Sequence, residues 1–406
     1  NVQTQLGGMV AGNPWLAKGE ARIILNEVNS RNPSQLNGFV EVAGKKAQVV
    51  IANPAGISCD GCGFINANRA TLTTGQPQMK NGSLTGFNVE RGEIQVTGKG
   101  MDASRTDYTD IIARSVKVNA GIWAQDLKVT TGRNNVDIVH GRIEKKNGDD
   151  ASSQPQIALD VASLGGMYAG KIRLVGTETG VGVHNAGHIG AQAGSVTLTA
   201  DGRIENSGSI SAQTDVHLAT TRELDNSGSV YAGQDTQIQS DGAFTHTGSV
   251  VSRRNTRIQA ARLTGSERSL LAAGVKDDGR LADAGDLTVS ASGELAAHGQ
   301  VLAGGNTQLK GKGLDLSNSR VQGQHTELDA TSGNLSTQNA QLSAGTLSAR
   351  TAGQFSNNDG RITADTLQIT AQSLSNHKGE LIQTGTGDFS LNLPGRVDNR
   401  EGQIAA

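Results

Sequence analysis

The chain has 406 residues, and its 36 basic and 38 acidic side chains leave a net charge of −2. That balance supplies no field able to gather nucleic acid or an anionic membrane nonspecifically. Hydrophobic residues make up 35% and aromatics 3%, while glycine alone contributes 54 positions, a composition close to low-complexity chains and poor in core for a globular enzyme of this length. No apolar run approaches the roughly 20 residues that cross a bilayer as a helix. The sequence opens on Asn1 rather than Met, so we read a processed chain or one cut from a longer protein, with any targeting segment upstream.

Taken in chain order, the first half predicts strands at 21–28, 38–42, 47–51, 93–97, 115–118 and 127–130, split by Asn-Pro, Gly-Cys and Asn-Gly punctuators. Residues 108–114 are the best helix candidate, too short to count on and equally readable as a strand. The polar stretch 141–156 is expected to leave the main pattern as an excursion or hairpin loop, because strand patterning resumes at Ile157. Strict periodicity begins near Gly190, where we place a boundary between two domains, 1–190 and 191–406.

Beyond that boundary apolar residues fall at Leu198, Ile204, Ile210, Leu218, Leu224, Val230, Ile238, Phe244, Val250 and Ile258, in steps of 6, 6 and 8. A 20-residue unit with three anchors cannot bury its apolar face alone; stacked on its neighbour it buries that face continuously and pairs each strand in parallel with its copy. This is the logic of a parallel β-helix. A turn recurs before the third anchor, at Asn206-Ser207-Gly208, Asn226-Ser227-Gly228 and His246-Thr247-Gly248, and later at Asn318, at Asn358-Asp359-Gly360 and at Asn376-His377-Lys378-Gly379. It is expected to be a stacked turn whose Asn and Gly accept unusual backbone angles rather than a ladder of ligands. About ten extra residues around 270–286 are expected to form a loop extruded from one coil. His184, His188, His217 and His246 have no spacing that singles them out and are expected at the surface.

Several blocks at consistent spacing carry a family resemblance: Asn13-Pro14-Trp15-Leu16, residues 21–28, Asn32-Pro33-Ser34-Gln35-Leu36, Ile51 through Ile57, and residues 66–75. The first 190 or so residues resemble the secretion domain of two-partner-secretion (TpsA) exoproteins, a group that includes filamentous haemagglutinins and the CdiA proteins of contact-dependent growth inhibition. The units after it resemble haemagglutinin-type repeats. Cys59-Asp60-Gly61-Cys62 directly after the second Asn-Pro motif is more similar to the CdiA branch. The resemblance implies export across the outer membrane by a TpsB/CdiB transporter whose periplasmic POTRA domains read the unfolded chain. It carries the recognition role to Asn13, Pro14, Trp15 and Leu16 and to Asn53, Pro54, Gly56 and Ile57. Trp15 and Ala55 each stand where the family has Asn. The family's domain normally begins with a cap upstream of Asn1.

The C-x-x-C pair admits half a zinc site, a thioredoxin-like redox motif or a disulfide. No second Cys pair or nearby His completes a zinc site, and no helix is predicted to lower a thiol pKa. For a chain passing through an oxidising periplasm, a Cys59–Cys62 disulfide is expected.

The fold class expected is all-β, a right-handed parallel β-helix (solenoid) with extra hairpins in the first half. The function implied is the export-directing domain and stalk start of a large secreted surface protein, serving toxin delivery, with an adhesin as the alternative and a β-helical polysaccharide lyase as a remote one. No enzyme activity, cofactor, metal or nucleic-acid partner is expected. The chain is expected as a monomer, with a target-cell receptor bound by regions outside it.

Overall fold

The computed structural model describes residues 1–14, 19–148 and 153–406. Among these there is no α-helix, and parallel β-solenoid coils dominate two compact units, Asn1–Ala212 and Gln213–Ala406.

In the first unit the strand Ile23–Glu27 pairs in parallel with Ala47–Ala52, and that strand with Ala67–Thr73. The same wall continues through the long strands Glu93–Ala113 and Gly121–Thr131 to Lys171–Gly176 and Val196–Ala200. Register aligns Ile51, Leu72, Ile111, Val129, Leu174 and Leu198 into one inward column. Each is at most 4% exposed, because alternation sends every second side chain into the coil. Residues 108–114 lie mostly within Glu93–Ala113, so the short candidate helix is a strand whose Thr109, Ile111 and Ala113 face inward.

An antiparallel sheet leaves the solenoid, built from Gln76–Lys80, Ser83–Val89, Asn134–Asp137 and Arg142–Lys145. The last strand answers the excursion expected over 141–156, of which residues 149–152 lie outside the described residues. Leu84, Phe87 and Val89 of this sheet pack on the outward-facing Val50 and Ile112, with Leu25 and Val136 at the margin. Each such side chain contributes roughly 1.5–3 kcal/mol on full burial, so this patch fastens the sheet to the coils. Glu90 adds a polar tie to both Arg133 and Lys146; its carboxyl sits below the usual range chiefly because Lys146 hydrogen-bonds it.

In the second unit three columns run coil to coil. One aligns Leu218, Ile238, Ile258, Val289, Leu309 and Leu328. A second aligns Leu224, Phe244, Leu263, Leu295, Leu314, Leu335 and Phe355. The third takes Val230, Val250, Leu271, Val301, Val321, Leu342 and Ile362. All ten anchors read from the periodicity are buried. The inserted segment has the expected length but begins later than the sequence suggested: Leu270–Ala273 is a regular coil strand paired with the Ser249–Ser252 strand. Only residues 274–286 depart from the coil, turning back through a Val275–Leu281 bridge before the chain rejoins at Leu287.

The recurring turn corrects the expected role of its asparagines. Asn206 and Asn226 do not take left-handed angles; their side chains point inward, 1% and 2% exposed, and form a ladder. Asn185 Nδ2 donates to Asn206 Oδ1 at 2.9 Å, and later Asn357 Nδ2 donates to Asn376 Oδ1 and Asn376 Nδ2 to Asn399 Oδ1, both at 2.8 Å. Gly208 is required by close approach, since a Cβ there would sit 2.0 Å from the Gly187 carbonyl oxygen. Where the later turns gain a residue, the left-handed angle falls at Asn318, as expected of that asparagine, and at Asn339, Asp359, Lys378 and Glu401. His246 takes the ladder position of its coil, with no measurable exposure rather than the surface place expected.

Candidate functional site

The second Asn-Pro motif builds a turn in which almost every polar group is already used. Pro54 fixes its own φ and pushes Asn53 into an extended conformation, after which the chain must reverse. The reversal closes when Gly56 N–H donates to the Asn53 carbonyl at 3.0 Å, while Ala55 N–H donates to Asn53 Oδ1 at 3.0 Å. Asn53 Nδ2 reaches the preceding coil, donating to the Asn32 carbonyl at 3.0 Å and to Ser34 Oγ at 2.9 Å. The Asn53 N–H donates to the Thr73 carbonyl of the next coil. Asn53 is fully buried, and the residue locks three coils together.

Gly56 has φ of 123°, and a Cβ would stand 2.9 Å from the Glu93 carbonyl oxygen, so glycine is needed here on both counts. Ile57 is 1% exposed and pairs with Ser34 on one side and Ile94 on the other. Only Pro54 and Ala55 are half-exposed. Of the first motif, Asn13 and Pro14 are exposed, and Trp15 and Leu16 lie outside the described residues.

Asn32 and Ser34 complete this turn, and their sequence alone assigned them no role in it. The signal was present: Asn32-Pro33 precedes Asn53-Pro54 by 21 residues, the length of one coil. Two like turns one coil apart must stack.

Directly after the turn, the strand Ile57–Ile65 bends at Asp60 and Gly61, and Gly61 takes φ of 71°. Cys59 and Cys62 flank the bend and are joined in a disulfide, with Cα atoms 5.4 Å apart and both residues buried. The bend is copied on the next coil, where Lys99 N–H donates to Asp60 Oδ1 at 2.9 Å. The disulfide thus clips a corner of the solenoid beside the Asn-Pro turn. Further along, the side chain of Arg114, 4% exposed, meets the partly exposed Glu178 at 2.7 Å, an ion pair that reaches past the intervening coil.

Comparison with known proteins decides the family. Residues 10–206 match the family described as the TPS secretion domain, and residues 209–291, 277–349 and 327–392 match the haemagglutinin repeat. Over 403 residues the chain is 51% identical to "Toxin CdiA" of Yersinia pestis, covering 99% of this chain and 12% of that protein. The chain belongs to the two-partner-secretion exoproteins. Within that family it is also 51% identical over 216 residues to "tRNA nuclease CdiA-2" of Burkholderia pseudomallei, 52% of this chain and 7% of that protein. A further relative, "16S rRNA endonuclease CdiA" of Enterobacter cloacae, is 45% identical over 204 residues, 50% of this chain and 6% of that one. A solved filamentous hemagglutinin secretion domain is 26% identical, with a TM-score of 0.45, over 66% of this chain and 80% of its own. This two-partner-secretion chain therefore spans only about an eighth of the Yersinia relative it matches along its length. Its first half is a TPS secretion domain of the CdiA-like kind, and the protein is exported to the cell surface.

Proposed function

We propose that this chain is the export-directing start and first stalk segment of a toxin-delivery exoprotein, addressed to an outer-membrane transporter of the TpsB/CdiB type. In this reading Asn13, Pro14, Trp15 and Leu16, with Asn53, Pro54, Gly56 and Ile57, are the segments that the transporter's periplasmic POTRA domains read. The chain travels as a monomer. Receptor contact and the toxin belong to other parts of the longer protein, and residues 1–406 catalyse nothing themselves.

The observation that carries the reading is the burial of Asn53. Its donors and acceptor are all spent within the folded coils, so a partner can meet this side chain only before the coil forms. The motif then has two successive uses: an exposed polar address on the extended chain, and an internal lock once the coil closes. Folding removes the address from the transporter, which releases the segment and favours onward movement. The hydrogen-bonded lock is worth several bonds of about 1 kcal/mol each.

Two variants separate the roles. Asn53→Ala alters both address and lock, whereas Ser34→Ala removes a folded-state partner and leaves the motif untouched. In a secretion assay of the full-length exoprotein with its transporter, Asn53→Ala lowers surface protein with unchanged synthesis, and Ser34→Ala retains export. Equal loss in both, or normal surface levels for Asn53→Ala, overturns the assignment.

A further inference from the structure

Between the outer face of the solenoid and the antiparallel sheet of the first unit lies a cleft of about 290 Å³. Its volume holds on the order of ten non-hydrogen atoms, taking about 30 Å³ for each water-sized group. Phe87, Val136, Ile138 and Ile143 form an apolar wall on the sheet side. The solenoid side carries Arg69, Asp110, Lys128 and Arg173. Register puts the last three in line, since Asp110 pairs with Lys128 and Lys128 with Arg173 on successive coils, so they project to one face about 4.8 Å apart.

The charges of this wall do not balance. Arg69 is satisfied by Asp110 at 2.6 Å and lies over the Tyr108 ring at 4.7 Å. Arg173 leans to Asp126 at 3.4 Å, but its Nε is buried with no hydrogen-bond partner. Lys128 has no ion-pair or hydrogen-bond partner among the described residues. Burial, and then the neighbouring Arg173, hold its ammonium below the ordinary lysine range. The remaining carboxylate of the cleft, Asp137, is occupied by the His140 ring and by the Val139 and His140 N–H groups. Lys128, which has only the more distant charges of Asp110 and Asp126 to offset Arg173, and the one unmet donor of Arg173, its Nε, thus stand opposite an apolar wall. An anion between them relieves their repulsion, and an apolar body attached to it displaces water from Ile138 and Ile143, which, unlike the buried Phe87 behind them, keep exposed surface.

We propose that this cleft binds a small amphipathic anion, a carboxylate or phosphomonoester carried on an apolar body, with Lys128 and Arg173 holding the head group and Ile138 and Ile143 the body. The site is independent of the export reading above, because it needs the folded coils and the packed sheet.

The test is calorimetric titration of the 406-residue chain with octanoate, octyl phosphate and neutral octanol, with Lys128 followed by side-chain NMR. At least one anion binds saturably at one site, octanol binds at least tenfold more weakly, and the Lys128 pKa rises in the complex. Lys128→Met and Arg173→Met each weaken the anion by about tenfold without moving octanol. The stronger of the two anions assigns the head group. Absence of saturable binding by either anion, equal binding of octanol, or affinity unchanged in both variants overturns the proposal, and unchanged melting of the variants shows that they are folded.

Discussion

At the scale of single residues, inward polar side chains of the coils work only when matched to a neighbour one coil away. His246 shows the constraint most sharply. Its Nδ1 faces Asn226 Nδ2 at 3.3 Å and its Nε2 faces the Leu270 carbonyl at 3.0 Å, so the neutral ring accepts at Nδ1 and donates at Nε2. Burial is the main cause that holds its pKa below the ordinary 6.5. The unfolded chain therefore binds a proton that the folded chain refuses. The stabilisation is present above pH 6.5 and is lost as pH falls below it, by up to about 1.4 kcal/mol per pH unit within the shifted window. We predict that His246→Asn, which restores the residue found at Asn206 and Asn226, flattens the decline in urea midpoint as pH falls below 6.5. An unchanged pH slope would show that the titration arises elsewhere.

At the scale of the coil corner, a second ladder lies on the outside of the second unit. Asp235 N–H donates to Asp215 Oδ1, Asn255 N–H to Asp235 Oδ1, Asp286 N–H to Asn255 Oδ1, and Asn306 N–H to Asp286 Oδ1, all at 2.9–3.0 Å. The geometry accepts either an amide or a carboxylate, but like charges stacked about 4.8 Å apart repel by about 1 kcal/mol in a water-like dielectric. Asn255 separates Asp235 from Asp286 in this column. Asn255→Asp is predicted to lower stability by about 1–2 kcal/mol at low ionic strength, with most of the loss recovered in high salt, as read from urea midpoints in the two conditions. Asp235→Asn should move the midpoint the other way. A salt-independent loss in Asn255→Asp would place the cost in the backbone rather than in charge.

At the scale of the whole molecule, each solenoid coil bonds mainly to the coils directly before and after it, so stability is a sum of coil and nearest-neighbour terms. Phe244 lies in the middle of its column, between Leu224 and Leu263, and is fully buried. Phe244→Ala should cost about 3–5 kcal/mol. In hydrogen exchange the lost protection should be concentrated in the coils carrying Leu224, Phe244 and Leu263, leaving the coils of Leu342 and Ile362 protected. Uniform loss of protection across the second unit would instead indicate a single cooperative core.

The ten anchors from Leu198 to Ile258 were legible because a 20-residue period written in Leu, Ile, Val and Phe leaves a solenoid as the arrangement that buries every copy. The Asn53-Pro54 turn was legible too, since proline restricts the backbone locally whatever surrounds it. The direction of the asparagine side chains was not. Whether Asn206 bends the chain or points into a ladder depends on the Asn185 beside it in space, 21 residues away in sequence. The same holds for the apolar runs around Val50 and Ile112, whose outward side chains are buried only because a sheet formed by residues 76–89 and 134–145 covers them. The unpaired Lys128 and the cleft before it likewise exist only once that sheet is in place. Periodicity and local stiffness are properties of the chain itself, while burial of a polar group is settled by which neighbours the fold brings to it.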